Sequence, residues 1–103
     1  LRTTWPATST DIQDLNYYLS KMKTFTDKGY GVVLGEYSVC DGLEYKDAAS
    51  VRKWDTMVTQ TALRYGYCPL FWDNGYILLD RSTLSFYDET LAEELSALAL
   101  SVQ

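Results

Sequence analysis

Gly31-Val32-Val33-Leu34-Gly35-Glu36-Tyr37-Ser38-Val39 is the stretch on which the reading of this chain turns. Val32, Val33 and Leu34 are apolar in succession. They predict a strand buried on both faces, as in a parallel sheet covered by helices on each side. Along a regular strand Val32, Leu34 and Glu36 share one face, so the glutamate closes an otherwise apolar row near the carboxyl end. A carboxylate buried there costs several kcal/mol unless it is paired. Either it forms an ion pair, with Arg52 or Arg81, or it has chemistry to do.

Upstream, Thr10-Asp11-Ile12-Gln13 has the form of a capping box, with Thr10 at the N-cap and Gln13 three residues on. Ile12, Leu15, Leu19, Met22 and Phe25 then recur at helical spacing, and Lys28-Gly29 supplies a helix end. Downstream comes a polar loop through Asp41, Gly42 and Glu44. A second helix starts near Asp47, carries Val51, Trp54, Val58, Ala62 and Tyr65 on one face, and stops at Gly66. Tyr67-Cys68-Pro69-Leu70-Phe71-Trp72 reads as a second buried strand, with Pro69 tolerated near its start. Asp73-Asn74-Gly75 is a turn. Its alternative reading is a hairpin that pairs Leu70–Trp72 with Tyr76–Leu79. From Asp88 a third helix places Leu91, Leu95, Leu98 and Val102 on one face.

The order helix, strand, helix, strand, helix makes an α/β chain whose strands are joined by a right-handed crossover and run parallel. Residues 1–103 form a single segment without repeat, linker or low-complexity stretch. Two parallel strands are a poor basis for a sheet, since three or more are generally needed for independent stability. The pattern therefore reads as part of something larger. Leu1-Arg2-Thr3-Thr4-Trp5-Pro6 offers neither an initiator Met nor the apolar stretch of a signal peptide, so a processed product, an excised domain or a fragment is expected.

Composition narrows the chemistry. The 103 residues contain no histidine, which removes Ser-His-Asp and Cys-His catalysis and the H-E-x-x-H zinc site from what this chain does alone. A proton-transferring group would be a carboxylate, tyrosine or lysine. Fourteen acidic against nine basic side chains give a net charge of −5, which argues against nucleic acid or anionic lipid as partner. No run approaches the roughly 18 apolar residues of a membrane span. Aromatic residues make up 15% of the chain, with nine Tyr and three Trp, so their positions matter.

In parallel α/β proteins, sites lie at the carboxyl ends of the strands. If the two strands are neighbours, Glu36 and Trp72 meet at one rim. Trp72 is either a packing residue or a flat surface for the carbon-hydrogen face of a sugar ring. Tyr37, Tyr45 and Tyr76 lie in or near the same rim. Cys40 and Cys68 fall at opposite ends of the strands, roughly 15–20 Å apart at about 3.3 Å per residue, so no bridge between them is expected. Asp73, Asn74 and Asp80 are assigned to turn capping and loop hydrogen bonds rather than to a metal.

Taken in order, Val32-Val33-Leu34-Gly35-Glu36-Tyr37, Arg52-Lys53-Trp54, Phe71-Trp72-Asp73-Asn74-Gly75 and Leu78-Leu79-Asp80-Arg81 resemble the C-terminal third of family five glycoside hydrolases, cellulase-type retaining enzymes on a (β/α)8 TIM barrel. The resemblance covers nearly the whole chain. It implies that the segments are helix six, strand seven, helix seven, strand eight and helix eight. It makes Glu36 the catalytic nucleophile and Trp72 the platform beneath the sugar before the cleaved bond. It places Asn74 among the substrate contacts and Trp5 toward the leaving-group side; Tyr37, in the same rim, is taken as a further substrate contact. Asp80 and Arg81 are then structural, ordering the loop into the last helix. No cofactor and no metal are implied.

A retaining glycosidase needs two carboxyl groups about 5–5.5 Å apart. In this family the acid/base glutamate follows an asparagine, and the sequence holds no Asn-Glu pair. The expected parent is a secreted retaining β-glycanase, an endo-β-1,4-glucanase before a mannanase or xyloglucanase. Its substrate is a β-linked polysaccharide, and the chain alone is inactive for want of the N-terminal part of the barrel. Two other readings stand beside this one. One is a non-catalytic carbohydrate-binding module using Trp72 and nearby tyrosines. The other is a structural half-barrel that self-associates through its exposed strand edges.

Overall fold

The computed structural model describes residues 2–39 and 45–102. The first helix, α1 (Ser9–Leu19), continues through a 3-10 turn (Ser20–Met22) into a short α2 (Lys23–Thr26). Strand β1 (Val33–Tyr37), helix α3 (Ala48–Arg64) and strand β2 (Cys68–Phe71) follow. Two short strands, β3 (Leu79–Asp80) and β4 (Ser85–Phe86), precede the last helix α4 (Glu89–Leu100). The chain is thus an α/β fold in the expected element order. The polar loop through Asp41, Gly42 and Glu44 lies outside the described residues, as does Cys40; Cys68 is an exposed free thiol.

The helix boundaries follow from local chemistry. α1 is capped two residues earlier than expected, by Thr8 rather than Thr10. Thr8 Oγ1 accepts the Asp11 N–H at 3.2 Å, and the Asp11 carboxylate accepts the Thr8 N–H at 3.0 Å. Gly29, at φ +88°, ends the helical run where expected. Asp47 caps α3 by accepting the Ser50 N–H at 2.9 Å, and Gly66, at φ +82°, closes it. Asp88 caps α4 through the Leu91 N–H at 3.0 Å while its other oxygen takes Arg52 Nη1 at 3.0 Å. One carboxylate therefore starts α4 and ties it to α3.

β1 and β2 pair in parallel, with Val33 opposite Cys68, Leu34 opposite Pro69 and Tyr37 opposite Phe71. Gly35 and Glu36 together oppose Leu70, which makes a one-residue bulge in β1. The bulge resets the alternation. Leu34 and Tyr37 both face the helices, lining a groove with Leu15, Trp54 and Val58. Glu36 falls on the other face and is exposed. The expected row of Val32, Leu34 and Glu36 on one face is broken at this point.

The helices cover one face of the pair only. Their core is built on Val51, Val58 and Ala62 of α3, with Tyr37, Tyr67, Leu91 and Ala92, all buried. Val33, at 59% exposure, and Leu70, at 51%, are open on the opposite face. The expectation of two buried faces therefore fails for both strands, because nothing among the described residues covers the second one. Met22, Phe25 and Val102 are exposed as well, so the apolar stripes of α1–α2 and α4 outrun the core available to bury them. The Asn74-Gly75 turn does not make a hairpin with β2; the antiparallel pair is β3 with β4, in register Leu79–Phe86 and Asp80–Ser85.

Candidate active site

The parallel pairing brings the carboxyl ends of β1 and β2 side by side. The Trp72 N–H donates to the Tyr37 carbonyl at 3.0 Å, immediately beyond the last strand pair. Glu36 and Trp72 thus stand at one rim, on neighbouring strands. Among the described residues the Glu36 carboxylate has no hydrogen-bond or ion-pair partner. Arg52 is committed to Asp88, and Arg81 Nη2 donates to the Asp73 carbonyl at 3.4 Å, so neither takes up the ion pair considered for Glu36. An exposed, unpaired carboxylate at a strand end, carried by a bulge, is free to meet a ligand.

Trp72 is half-buried and Asn74 is exposed. Asn74 Oδ1 accepts the Tyr76 N–H at 3.0 Å, which leaves its NH2 hydrogens without a protein acceptor among the described residues. Tyr45 and Tyr76 are exposed, at 61% and 80%, in the segments that follow β1 and β2. Trp5 is half-buried and packs beside Ser38, Val39 and Trp54 around a cleft of about 300 Å³.

Tyr37 is elsewhere. It is 8% exposed, its ring meets Phe71 edge-on at 5.6 Å, and its hydroxyl shares a 2.5 Å hydrogen bond with Thr59 of α3. Burial pushes its phenol up, against the lowering effect of the Thr59 hydroxyl. The bulge turns Tyr37 into the helix layer, where it packs, and does not bring it to the open side of the rim with Glu36.

Two polar residues behind the rim have no signature in hydrophobic periodicity. Asp55 of α3 is fully buried and neither carboxylate oxygen closes a hydrogen bond of normal geometry. Burial pushes its carboxyl up to about 7, and the Val39 backbone N–H offsets only part of that. Thr59, one turn on, returns a hydrogen bond to the Asp55 carbonyl at 2.8 Å. Asp73 gathers the loop after β2, as its place before Asn74-Gly75 signals, since an Asx side chain there takes the N–H two residues on. Asp80 does the same for Ser82 and Thr83. Among the described residues no group of three His, Cys, Asp or Glu side chains is placed to hold a metal ion, and no helix is long and apolar enough to cross a membrane.

No protein-family model matches the chain. In an 86-residue alignment that covers 72% of this chain it is 33% identical to Endoglucanase A of Paenibacillus barcinonensis, and it spans 22% of that protein. A GH5-4 broad-specificity endoglucanase from an uncultured bovine rumen ciliate superposes with a TM-score of 0.86 at 28% identity, over 98% of this chain and 30% of the other. A tri-modular GH5 (subfamily 4) endo-β-1,4-glucanase from Bacillus licheniformis, complexed with cellotetraose, superposes at 0.83 with 26% identity, over 91% and 18% of the two chains. The chain thus spans about a fifth to a third of the proteins it matches. What its residues build is a fragment of the cellulase-type fold of glycoside hydrolase family 5, an α/β arrangement of the kind a partial (β/α)8 barrel presents.

Proposed function

We propose that the chain is the nucleophile-bearing C-terminal third of the catalytic barrel of a secreted retaining β-glycanase, with helix six through helix eight as its elements and a β-1,4-linked glucan as its substrate. The observation that carries this reading is the unpartnered Glu36 carboxylate beside Trp72 at the carboxyl ends of two paired parallel strands. Glu36 attacks the anomeric carbon, the glycosidic oxygen leaves with a proton, and a covalent glycosyl-enzyme forms. Water then releases the sugar. Trp72 packs against the ring before the cleaved bond, and the Asn74 NH2 group donates to a sugar hydroxyl.

The second carboxyl group that protonates the leaving oxygen and then activates water comes from outside these 103 residues, so the chain by itself does not turn over substrate. The test joins the chain with a polypeptide that supplies the rest of such a barrel and adds a 2-deoxy-2-fluoro-cellobioside, which halts retaining enzymes at the covalent stage. A single glycosyl adduct mapped to Glu36 is expected, absent in Glu36→Gln, together with a loss of hydrolysis by orders of magnitude in that variant. Hydrolysis undiminished by Glu36→Gln would sink the assignment.

A further inference from the structure

Asp73 lies between the two proposed glycan contacts, Trp72 and Asn74, and the loop after β2 folds around it. One carboxylate oxygen accepts the backbone N–H of Gly75 at 2.8 Å and of Ile77 at 3.2 Å; the other accepts that of Leu79 at 2.8 Å. The outside of the loop is pinned too. Arg81 Nη2 reaches the Asp73 carbonyl at 3.4 Å, and the Tyr87 hydroxyl donates to the Gly75 carbonyl at 3.2 Å. Gly75 sits at φ +94°, and a Cβ there would meet Arg81 Nε at 3.3 Å, so the close approach of the guanidinium needs glycine as well. Asn74 is drawn into the same geometry, its oxygen held by the Tyr76 N–H and its NH2 group left as the outward donor.

We propose that Asp73 is a positioning residue, whose carboxylate presets the 73–79 loop so that Trp72 and the Asn74 NH2 group are presented together to a glycan. Turn capping alone would need one N–H, two residues on. Here a single side chain collects N–H groups as far as six residues away, across the whole span between Asn74 and β3. With the loop held in this shape the Tyr76 N–H reaches the Asn74 amide oxygen and orients its NH2 group before any sugar arrives, which is the preorganisation a binding contact requires. The charge state suits the task. Partial burial raises the carboxyl, but the N–H groups of Leu79, Gly75, Leu78 and Ile77 outweigh it and hold Asp73 below the usual carboxylate range. The loop therefore stays assembled as the solution turns mildly acidic.

This inference rests on the glycan reading of the rim, and the experiment separates the two. The chain is prepared with 5-fluorotryptophan and joined with an unlabelled polypeptide that supplies the rest of the barrel, and the Trp72 resonance is assigned from Trp72→Phe. Amide exchange is followed at Gly75, Ile77 and Leu79. Asp73→Asn keeps the size and one acceptor oxygen, so it tests the loop without emptying the site. In this variant exchange at these amides is expected to rise by about tenfold or more, the loss of one charge-assisted hydrogen bond. The Trp72 resonance moves while those of Trp5 and Trp54 stay. Cellotetraose shifts the Trp72 resonance of the unaltered chain, and Asp73→Asn weakens that response.

Unchanged exchange, or displacement of all three tryptophan signals alike, overturns the positioning role. A cellotetraose response that Asp73→Asn retains in full overturns it too, with the glycan reading intact. Loop release in Asp73→Asn, with no cellotetraose response in the unaltered chain, overturns the glycan reading and leaves Asp73 as the organiser of the loop.

Discussion

Asp55 is fully enclosed by its own chain and, among the described residues, neither oxygen closes a hydrogen bond of normal geometry; the physical consequence is a pH dependence of stability. An unfolded aspartate loses its proton near pH 3.9. The folded one holds it until about 7. Between these values the folded state binds the proton that the unfolded state has released, so stability falls as pH rises, by about 1.4 kcal/mol per unit at most, and levels off above 7. The stabilisation is complete below about pH 4 and gone above the folded value. Asp11, Asp47, Asp73 and Asp80 are all held below the usual carboxylate range and slope the other way. Tyr37, reached through Thr59, is the titratable neighbour that feels the Asp55 charge. The measurement is therefore a difference. Asp55→Asn is expected to match the unaltered chain near pH 4 and to exceed it at pH 8, by an amount on the order of 3 kcal/mol in urea denaturation. Equal curves at both pH values would show that Asp55 is ionised, and tolerated, throughout.

At the scale of elements, β1 and α3 are joined by a polar contact inside the core. Tyr37 and Thr59 share their hydrogen bond at 2.5 Å, and Thr59 also bonds the Asp55 carbonyl. Thr59→Val keeps the shape and strands the buried tyrosine hydroxyl, which is expected to cost about 1–3 kcal/mol. Tyr37→Phe costs less, about 1 kcal/mol, because Thr59 keeps its backbone acceptor. With both changes made together, the loss should fall short of the sum; strict additivity in denaturation would mean that the two hydroxyls do not couple. These elements also show what the sequence makes legible. The limits of α3 can be read because Asp47 and Gly66 are local devices, a cap and a left-handed stop, that work whatever the tertiary surroundings. The first cap is misplaced by two residues because Thr8 and Thr10 each stand three before a side chain able to complete a box, and only the backbone at Thr8 decides between them. The bulge at Gly35–Glu36 is invisible for a deeper reason. Register belongs to the pair of strands, and the alternation of Val32, Leu34 and Glu36 along one strand carries no record that Gly35 and Glu36 share a single partner residue. That one extra residue in β1 sends Tyr37 into the helix layer and leaves Glu36 on the open face. β3 and β4, at two residues each, are too short for any alternation to register.

The whole molecule is more open than its length warrants. A compact chain of 100 residues has a radius of gyration near 13 Å, and here it is 14.2 Å. The accessible surface is 6768 Å², against roughly 5,900 Å² for a compact monomer of this mass. The excess is where the fold predicts it. Val33 and Leu70 lie bare on the sheet face that the helices do not cover, and Val33 also lines a second exposed hollow with Met22, Phe25 and Tyr30. Among the described residues β1 and β2 each have one partner only, so each leaves a free edge. A parallel pair of this kind gains stability from further strands on both sides. The chain on its own is therefore expected to bind a hydrophobic dye and to sediment faster as its concentration rises. A separately produced polypeptide carrying the remaining strands and helices of a family-five barrel should abolish both effects. At a hundred times its dissociation constant such a partner adds about 2.7 kcal/mol, which for a domain of this size is a rise in Tm of roughly 10–20 °C. The amides of Val33 and Leu70 should become slow to exchange in the mixture, since the new strands and core close over them. If Tm does not move and these two amides exchange as before, the open face is not one that further barrel strands complete, and the partial-barrel reading of the molecule fails with it.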